Sequence, residues 1–362
     1  MPPNSKRDAD TVVPSGESAV LRSRVTSLAP PQRVVAITGA SSFLGRNLVG
    51  ILEEDPRVFR VVALDLKPPS TGGTKTRFYD VDLTSPASEE RLAEILAAEQ
   101  AETLVHLAFL ESAVHGVAWG HELESVGTMH VLNAAQEIKL RKLILWSQTI
   151  LYGARPSNPS RMAEERALAA DDGEPFFGDK IAAERAVNAF AAKSKGTHVT
   201  ILRTAPIVGP TVQNYVTRFL ARRLVVTLMG FDPLWQFVHE VDALVAFKLA
   251  IDRDVPGIFN IAGEGVLPLS TIVKLTTRSR LPIPHPVAES IVGSLWAARI
   301  SPIPSSFLSY LRYGCVADGT AAARKLGFEP VYTTRDALLD FMSAQRLRDA
   351  KLYQEPMHES VA

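Results

Sequence analysis

A glycine-bearing loop and an acidic residue one strand later have the types and spacing that bind a nucleotide. The loop runs from Gly39 to Gly45 and follows a short apolar, β-branched run, Val34–Thr38. Glycine allows a tight turn and lets the backbone approach a phosphate at a helix N-terminus. Asp65 ends the next apolar run, and an acid there can accept both hydroxyls of an adenine ribose and repel a 2′-phosphate. The pattern predicts a dinucleotide site that prefers NAD(H) to NADP(H).

The segments around this loop alternate between strand and helix. Strands are predicted at Val34–Thr38, Arg60–Asp65, Arg77–Tyr79, Thr103–His106, Lys142–Trp146 and His198–Leu202. Helices are predicted at 44–52, Pro86–Ala98, Glu122–Gln136 and Asp179–Ala192, the first with an apolar stripe. Such alternation indicates βαβ units. The predicted fold class is α/β, with a doubly wound parallel sheet.

Composition excludes several classes of protein. The chain has 362 residues with 39 Lys+Arg and 39 Asp+Glu, whereas a nucleic-acid-binding protein usually carries a basic face. A hydrophobic fraction of 46% is typical of a globular core. The single cysteine, Cys315, excludes a disulfide framework. No apolar stretch is long enough for a transmembrane span, and the N-terminus lacks the apolar core of a signal peptide. We therefore expect a cytoplasmic protein.

Motifs along the chain resemble, in order, those of the extended short-chain dehydrogenases/reductases, the NAD-dependent epimerase/dehydratase group. Thr38–Gly45 resembles the TGxxGxxG loop of this family. The further matches are Asp82-Leu83, His106-Leu107-Ala108, Gly127-Thr128, Ser147–Gly153, Leu202–Pro210, Phe237–Asp242, Gly257–Gly263 and Lys325–Pro330. The resemblance covers about residues 33–345. Each motif is weak alone, but the ordered set is specific.

The resemblance implies an NAD-binding, Rossmann-type domain at 33–205, to which 237–262 return. A smaller substrate-covering part is implied at 206–236 and 263–345. The proline- and serine-rich composition of residues 1–32 predicts a flexible tail there, and a C-terminal tail is predicted at 346–362. The implied cofactor is NAD, with NADP less favoured because of Asp65. The cofactor-binding residues would be Thr38, Gly39, Ser42, Phe43, Leu44, Gly45, Asp65, Asp82, Leu83, Leu107, Ala108 and Lys180.

The catalytic motif departs from that of the family. Its YxxxK helix carries a tyrosine that moves a proton and a lysine that holds the nicotinamide ribose. Lys180 matches the lysine, but Phe176 stands at the tyrosine position and has no hydroxyl. Gln148 stands at the serine or threonine position, and Glu124 replaces an asparagine. Ser42 replaces the middle glycine of the loop, where its Cβ crowds the pyrophosphate and its hydroxyl could donate to a phosphate.

Three functions remain open on the sequence alone. The first is a noncatalytic NAD-binding protein with a regulatory or interaction role. The second is an oxidoreductase, epimerase or dehydratase with substitute acid/base groups, such as Tyr152, Glu124 or a histidine of the covering part. The third is an interaction protein that no longer binds the cofactor. Loss of a positioned general acid or base removes about 10²–10⁴ in rate, which weakens catalysis without abolishing it.

Few sequence features bear on the other partners. Residues 281–310 are proline-rich and apolar, which favours either core packing or an apolar small-molecule ligand or membrane-surface contact. Leu234–Gln236 stand where sugar-nucleotide members of the family carry a diphosphate-clamping arginine. The histidines lack the spacing of a metal pair, so no metal is predicted. The resemblance allows a homodimer through the helices at Glu122–Gln136 and Asp179–Ala192.

Overall fold

The computed structural model describes residues 33–170, 174–301 and 304–350. The predicted tail at 1–32 and residues 351–362 lie outside the described residues. The final helix continues to Asp349, inside the range 346–362 that the sequence analysis assigns to a C-terminal tail. Its capping box at Thr333 and Asp336 begins this helix, and buried residues including Phe341 and Met342 hold it on the protein.

Thirteen strands and ten α-helices form the described part of the chain. The strands are β1 (Arg33–Thr38), β2 (Val58–Asp65), β3 (Thr76–Asp80), β4 (Thr103–His106), β5 (Lys142–Gln148), β6 (His198–Thr204), β7 (Ile207–Val208), β8 (Leu224–Leu228), β9 (Leu234–Trp235), β10 (Val238–His239), β11 (Gly257–Ile261), β12 (Leu267–Pro268) and β13 (Ser279–Ile283). The helices are α1 (Phe43–Glu54), α2 (Ser88–Ala98), α3 (Val117–His121), α4 (Gly127–Glu137), α5 (Pro175–Lys193), α6 (Tyr215–Ala221), α7 (Glu240–Asp252), α8 (Leu269–Leu275), α9 (His285–Ala297) and α10 (Thr334–Asp349).

The central sheet has seven parallel strands in the order β11-β6-β5-β4-β1-β2-β3. Helices follow the strands, so the predicted doubly wound parallel sheet is confirmed. The middle strands are buried on both faces and consist of continuous apolar runs, as parallel strands require. Their carboxyl ends meet at one edge of the sheet, where ligands bind in folds of this kind.

The helix predicted at Glu122–Gln136 contains an irregular turn. Residues Glu122–Val126 form a π-helical turn between α3 and α4. A π-bulge widens the helix by one residue per turn and is frequent at functional sites. Here it carries Glu124.

A second hydrophobic cluster lies outside the sheet and its helices. It joins residues of α5 and α6 to the short strands and helices of the last hundred residues. On α9, Val292 is buried, whereas Ile291 and Leu295 stay 41% and 37% exposed, so the apolar stripe of this helix is only partly core. In the described ranges, we find no helix with the length and apolar character needed to cross a membrane.

Candidate functional site

The loop between β1 and α1 turns at Gly39, whose φ is +68°. A Cβ on Gly39 would lie 2.7 Å from backbone atoms of Leu107 and Ala108, which follow β4. A Cβ on Gly45 would meet the carbonyl oxygen of Gly39. Both positions therefore require glycine, Gly39 for its conformation and its space, and Gly45 for space alone. The loop, with Thr38 before it, lies packed against the end of β4.

Asp65 ends β2 beside this loop. Its carboxylate accepts a hydrogen bond from the backbone N–H of Ser41 at 2.8 Å and another from that of Leu66 at 2.7 Å. The side chain is thus fixed at the carboxyl edge of the sheet, next to the turn at Gly39. That is the place from which an acid can receive the hydroxyls of a nucleotide ribose.

Asp82 and Leu83 follow β3 at the same edge. Leu83 is buried. A Cβ added to Gly127 would lie only 3.1 Å from the Leu83 side chain. The Asp82 carboxylate accepts hydrogen bonds from the N–H and the hydroxyl of Thr84 at 2.9 and 2.7 Å. These contacts shape the loop after β3 near the edge that holds Asp65.

Ser42 and Glu111 occupy the N-terminus of α1. The Ser42 hydroxyl caps the helix by accepting a hydrogen bond from the N–H of Gly45 at 3.1 Å. The N–H of Phe43 donates to the Glu111 carboxylate at 3.3 Å. Burial raises the pKa of Glu111 to about 7. Because free N–H groups at a helix N-terminus bind phosphate, Glu111 stands where the pyrophosphate of a dinucleotide would bind.

Glu111 is a site residue that the sequence alone does not reveal. It is one of 39 acidic residues, and no motif or spacing connects it with the loop at Gly39. Its nearness to α1 arises because the segment after β4 folds back over the start of that helix.

Lys180, Glu124 and Phe176 form a buried cluster. The ammonium of Lys180 donates to the Glu124 carboxylate at 2.5 Å, and both side chains are less than 5% exposed. The N–H of Leu110 donates to the same oxygen, also at 2.5 Å. The ring centre of Phe176 lies 4.0 Å from the Lys180 nitrogen. Burial raises the pKa of Glu124 and lowers the pKa of Lys180, while their mutual attraction opposes both shifts.

Gln148 ends β5 and is 7% exposed. Its Oε1 atom has no hydrogen-bond partner among the described residues, which is costly for a buried carbonyl oxygen. The side chain lies between two cavities. One, of about 350 Å³, is shared with Glu111, Phe43 and Leu44. The other, of about 220 Å³, is shared with Lys180. We call the larger one the Gln148 cavity. The free Oε1 atom of Gln148 is available to a ligand there.

Tyr152 does not belong to either cavity. It lies fully buried in a 3₁₀ turn, Thr149–Tyr152, directly after β5. Its hydroxyl donates to Asn260 at 2.8 Å and accepts from Arg203 at 2.7 Å. Arg203 in turn pairs with Glu184 at 2.5 Å. The hydroxyl is therefore engaged in a buried network and is not presented to the lining of the Gln148 cavity.

His106 links β1 to α4 below the loop. One ring nitrogen lies 2.6 Å from the hydroxyl of Thr38, and the other lies 3.0 Å from that of Thr128. Burial lowers the pKa of His106 to about 3, so the ring is neutral at ordinary pH. The contacts fix the position of Thr38 at the end of β1.

A seven-stranded parallel sheet with a glycine turn and an acid at the next strand end defines a Rossmann-type, nucleotide-binding class of fold. The chain belongs to the NAD-dependent epimerase/dehydratase family, whose profile matches residues 35–262. Sequence relatives include uncharacterized proteins of Mycobacterium tuberculosis and Mycobacterium bovis. Each is 30% identical over 322 residues, which are 87% of this chain and 85% of the relative.

Solved structures show the same fold. UDP-glucose 4-epimerase of Thermotoga maritima, solved with UDP-glucose, has a TM-score of 0.65 at 20% identity, over 88% of this chain and 100% of that chain. The dTDP-glucose 4,6-dehydratase DesIV of Streptomyces venezuelae, solved with NAD, has a TM-score of 0.68 at 18% identity, over 89% and 99%. Further structural neighbours are also NAD complexes.

Proposed function

We propose that this protein binds NAD(H) in preference to NADP(H) as an oxidoreductase-type member of its family, and that it lacks the family's tyrosine-based proton relay. The observation that carries the proposal is the arrangement of Gly39, Gly45 and Asp65 around one turn at the carboxyl edge of the sheet. Membership of an NAD-dependent family and the NAD complexes among the structural neighbours support it.

The residues at this edge fit a dinucleotide. Because Gly39 has no Cβ, the backbone can turn closely under a phosphate. The Asp65 carboxylate suits a ribose that carries no 2′-phosphate. The free Oε1 of Gln148 can accept a hydrogen bond in the adjoining cavity. Glu111 does not fit a pyrophosphate, because its carboxylate holds the N–H of Phe43. It must become protonated or move when a pyrophosphate binds.

A bound nicotinamide would accept or donate a hydride. The proton that accompanies the hydride needs a carrier, and Phe176 cannot supply one. The Lys180 ammonium is held by Glu124, so it is already paired before any ribose could bind. The contacts of the Tyr152 hydroxyl with Asn260 and Arg203 favour a structural role for that residue. We therefore expect negligible turnover of ordinary alcohols, ketones or sugar nucleotides, with Glu124 the first candidate for a substitute acid.

Calorimetric titration with NAD⁺ and NADH tests the binding. Gly39→Ala should abolish it, because the new Cβ would collide with the backbone of Leu107 in a left-handed conformation. Gly116→Ala is the matched control, since a Cβ there meets nothing within 4 Å. Wild type and Gly116→Ala should bind alike. Binding by Gly39→Ala as tight as by wild type would overturn the proposal.

The alternative is a noncatalytic NAD-binding protein with a regulatory or interaction role. The buried pair of Lys180 and Glu124 under Phe176 favours it, because that cluster is satisfied without any substrate. Turnover separates the two proposals. A rate near that of ordinary enzymes, about 10 s⁻¹, on any member of an alcohol and ketone panel would exclude the noncatalytic one.

We also propose a small-molecule ligand and a cytoplasmic, homodimeric protein. The dimer would form through α4, α5 and the π-helical turn before α4. Met129 of α4 is 45% exposed. Sedimentation of wild type and Met129→Glu tests this interface. A monomeric wild type would contradict it.

A further inference from the structure

A cleft with about 610 Å³ of empty space, part of it open to solvent, adjoins the Gln148 cavity. Pro206 and Tyr215 line both of them. The Tyr215 ring also packs edge-on against Phe176, with 5.9 Å between ring centres. The two cavities therefore meet beside the place where the family's tyrosine is missing. We call the larger one the apolar cavity.

The lining of the apolar cavity is aromatic and aliphatic. It includes Val216 and Phe219 of α6, Trp235 of β9, and Phe307 and Tyr310 of the 3₁₀ turn at Ser305–Leu311. None of the described residues that line it carries a charged side chain.

Polar groups in this wall are largely engaged within the fold. The Cys315 thiol donates to the carbonyl of Thr149 at 3.1 Å, and the Tyr310 hydroxyl donates to the carbonyl of Ile150 at 2.7 Å. Gln236 uses both ends of its amide on backbone groups. Burial raises the pKa of Cys315 to about 12, so this thiol stays neutral. The wall therefore offers a ligand mainly apolar surface.

We propose that the apolar cavity holds an uncharged, mainly apolar small molecule as the substrate of the NAD(H) site, an assignment that rests on the proposed function. A diphosphate would lose its hydration there without a lining cation to compensate, which is strongly unfavourable. An apolar ligand gains free energy by leaving water. Because Pro206 and Tyr215 are common to both cavities, such a ligand would reach the cleft beside Gln148.

Prodan, an uncharged aromatic ketone whose emission reports apolar surroundings, is the probe. Val216 is 3% exposed and lines the apolar cavity but not the Gln148 cavity, so Val216→Trp fills the first and spares the second. We expect wild type to bind prodan and Val216→Trp to bind it at least about 10-fold more weakly. The control Val331→Trp, at a position 82% exposed, should match wild type. UDP-glucose should neither bind nor displace prodan.

NAD(H) is titrated into every variant separately. If Val216→Trp still binds NAD(H), this variant is folded. If Val216→Trp does not fold, the milder substitution Val216→Phe replaces it in the test. Prodan binding that neither Val216 variant weakens would overturn the assignment, as would UDP-glucose that displaces prodan. If the proposed function failed, the result would be distinguishable from failure of this assignment. NAD(H) would then bind to no variant, while prodan binding would still depend on Val216.

Discussion

The ammonium of Lys180 lies 4.0 Å from the ring centre of Phe176, one helical turn earlier on α5. This cation–π contact holds the ammonium over the face of the ring. Glu124 supplies the counter-charge at 2.5 Å. Phe176 and Glu124 together satisfy this buried lysine.

Removing the counter-charge should destabilise the protein. Glu124→Gln leaves Lys180 as a buried charge without an anionic partner, which typically costs about 3–5 kcal/mol in the free energy of unfolding. Urea denaturation measures the loss. The double variant Glu124→Gln/Lys180→Met should recover most of it, because both charges are then absent. A loss below about 1 kcal/mol in the single variant would mean that the pair is not buried as described.

Restoring the family's residues should create or raise activity. The double variant Phe176→Tyr/Gln148→Ser returns a proton-transfer hydroxyl beside Lys180 and keeps the Glu124 counter-charge, so turnover should rise by about 10²-fold. Cofactor absorbance on an alcohol and ketone panel follows the rate. Phe177→Tyr is the matched control, since it adds a hydroxyl one residue away in the core. A fall in activity on Phe176→Tyr alone would show that another residue carries the proton.

Cofactor binding should tighten as pH falls. Burial raises the pKa of Glu111 to about 7, against the opposing influence of Phe43, Arg46 and Arg218. Below that pH the side chain is neutral and no longer repels a pyrophosphate at the start of α1. Calorimetry from pH 8 to pH 6 should show rising NAD⁺ affinity in wild type. Glu111→Gln should bind tightly at every pH, and a wild-type affinity independent of pH would contradict this.

The stability of the folded protein should also depend on the protonation state of Glu111. The pKa of Glu111 is higher in the folded protein than its ordinary value of 4.5. Its contribution to stability is therefore full below about pH 4.5 and is lost as the pH rises through about 7. Thermal unfolding should show Glu111→Gln more stable than wild type at pH 8. Equal stability there would contradict the raised pKa.

Sequence reasoning predicts the sheet well because its signals are local. The middle strands of the sheet are largely continuous apolar runs, and the longer helices have their own periodicity. The turn at Gly39 and the acid at Asp65 are fixed by neighbouring elements, so their positions follow from the order of β1, α1 and β2. The bounds of the six predicted strands differ from the observed ones by only a few residues.

The rest of the site depends on contacts between distant segments. Glu111 meets Phe43 across 68 residues, and Lys180 meets Glu124 across 56. The sequence predicts that Phe176 and Glu124 stand in place of a tyrosine and an asparagine, but no local pattern predicts that Glu124 binds Lys180. The apolar cavity likewise joins residues from 149 to 315, which no local pattern brings together.

The preference for NAD(H) is the central claim, and Asp65 is its physical basis. Competitive calorimetric titration of NAD⁺ and NADP⁺ into wild type, Asp65→Ala and the exposed control Glu54→Ala measures it most directly. We expect wild type and Glu54→Ala to bind NAD⁺ more tightly than NADP⁺. Asp65→Ala should lose most of that difference, because no carboxylate then faces the 2′-phosphate. Wild-type binding of NADP⁺ at least as tight as that of NAD⁺, or binding of neither, would contradict the account.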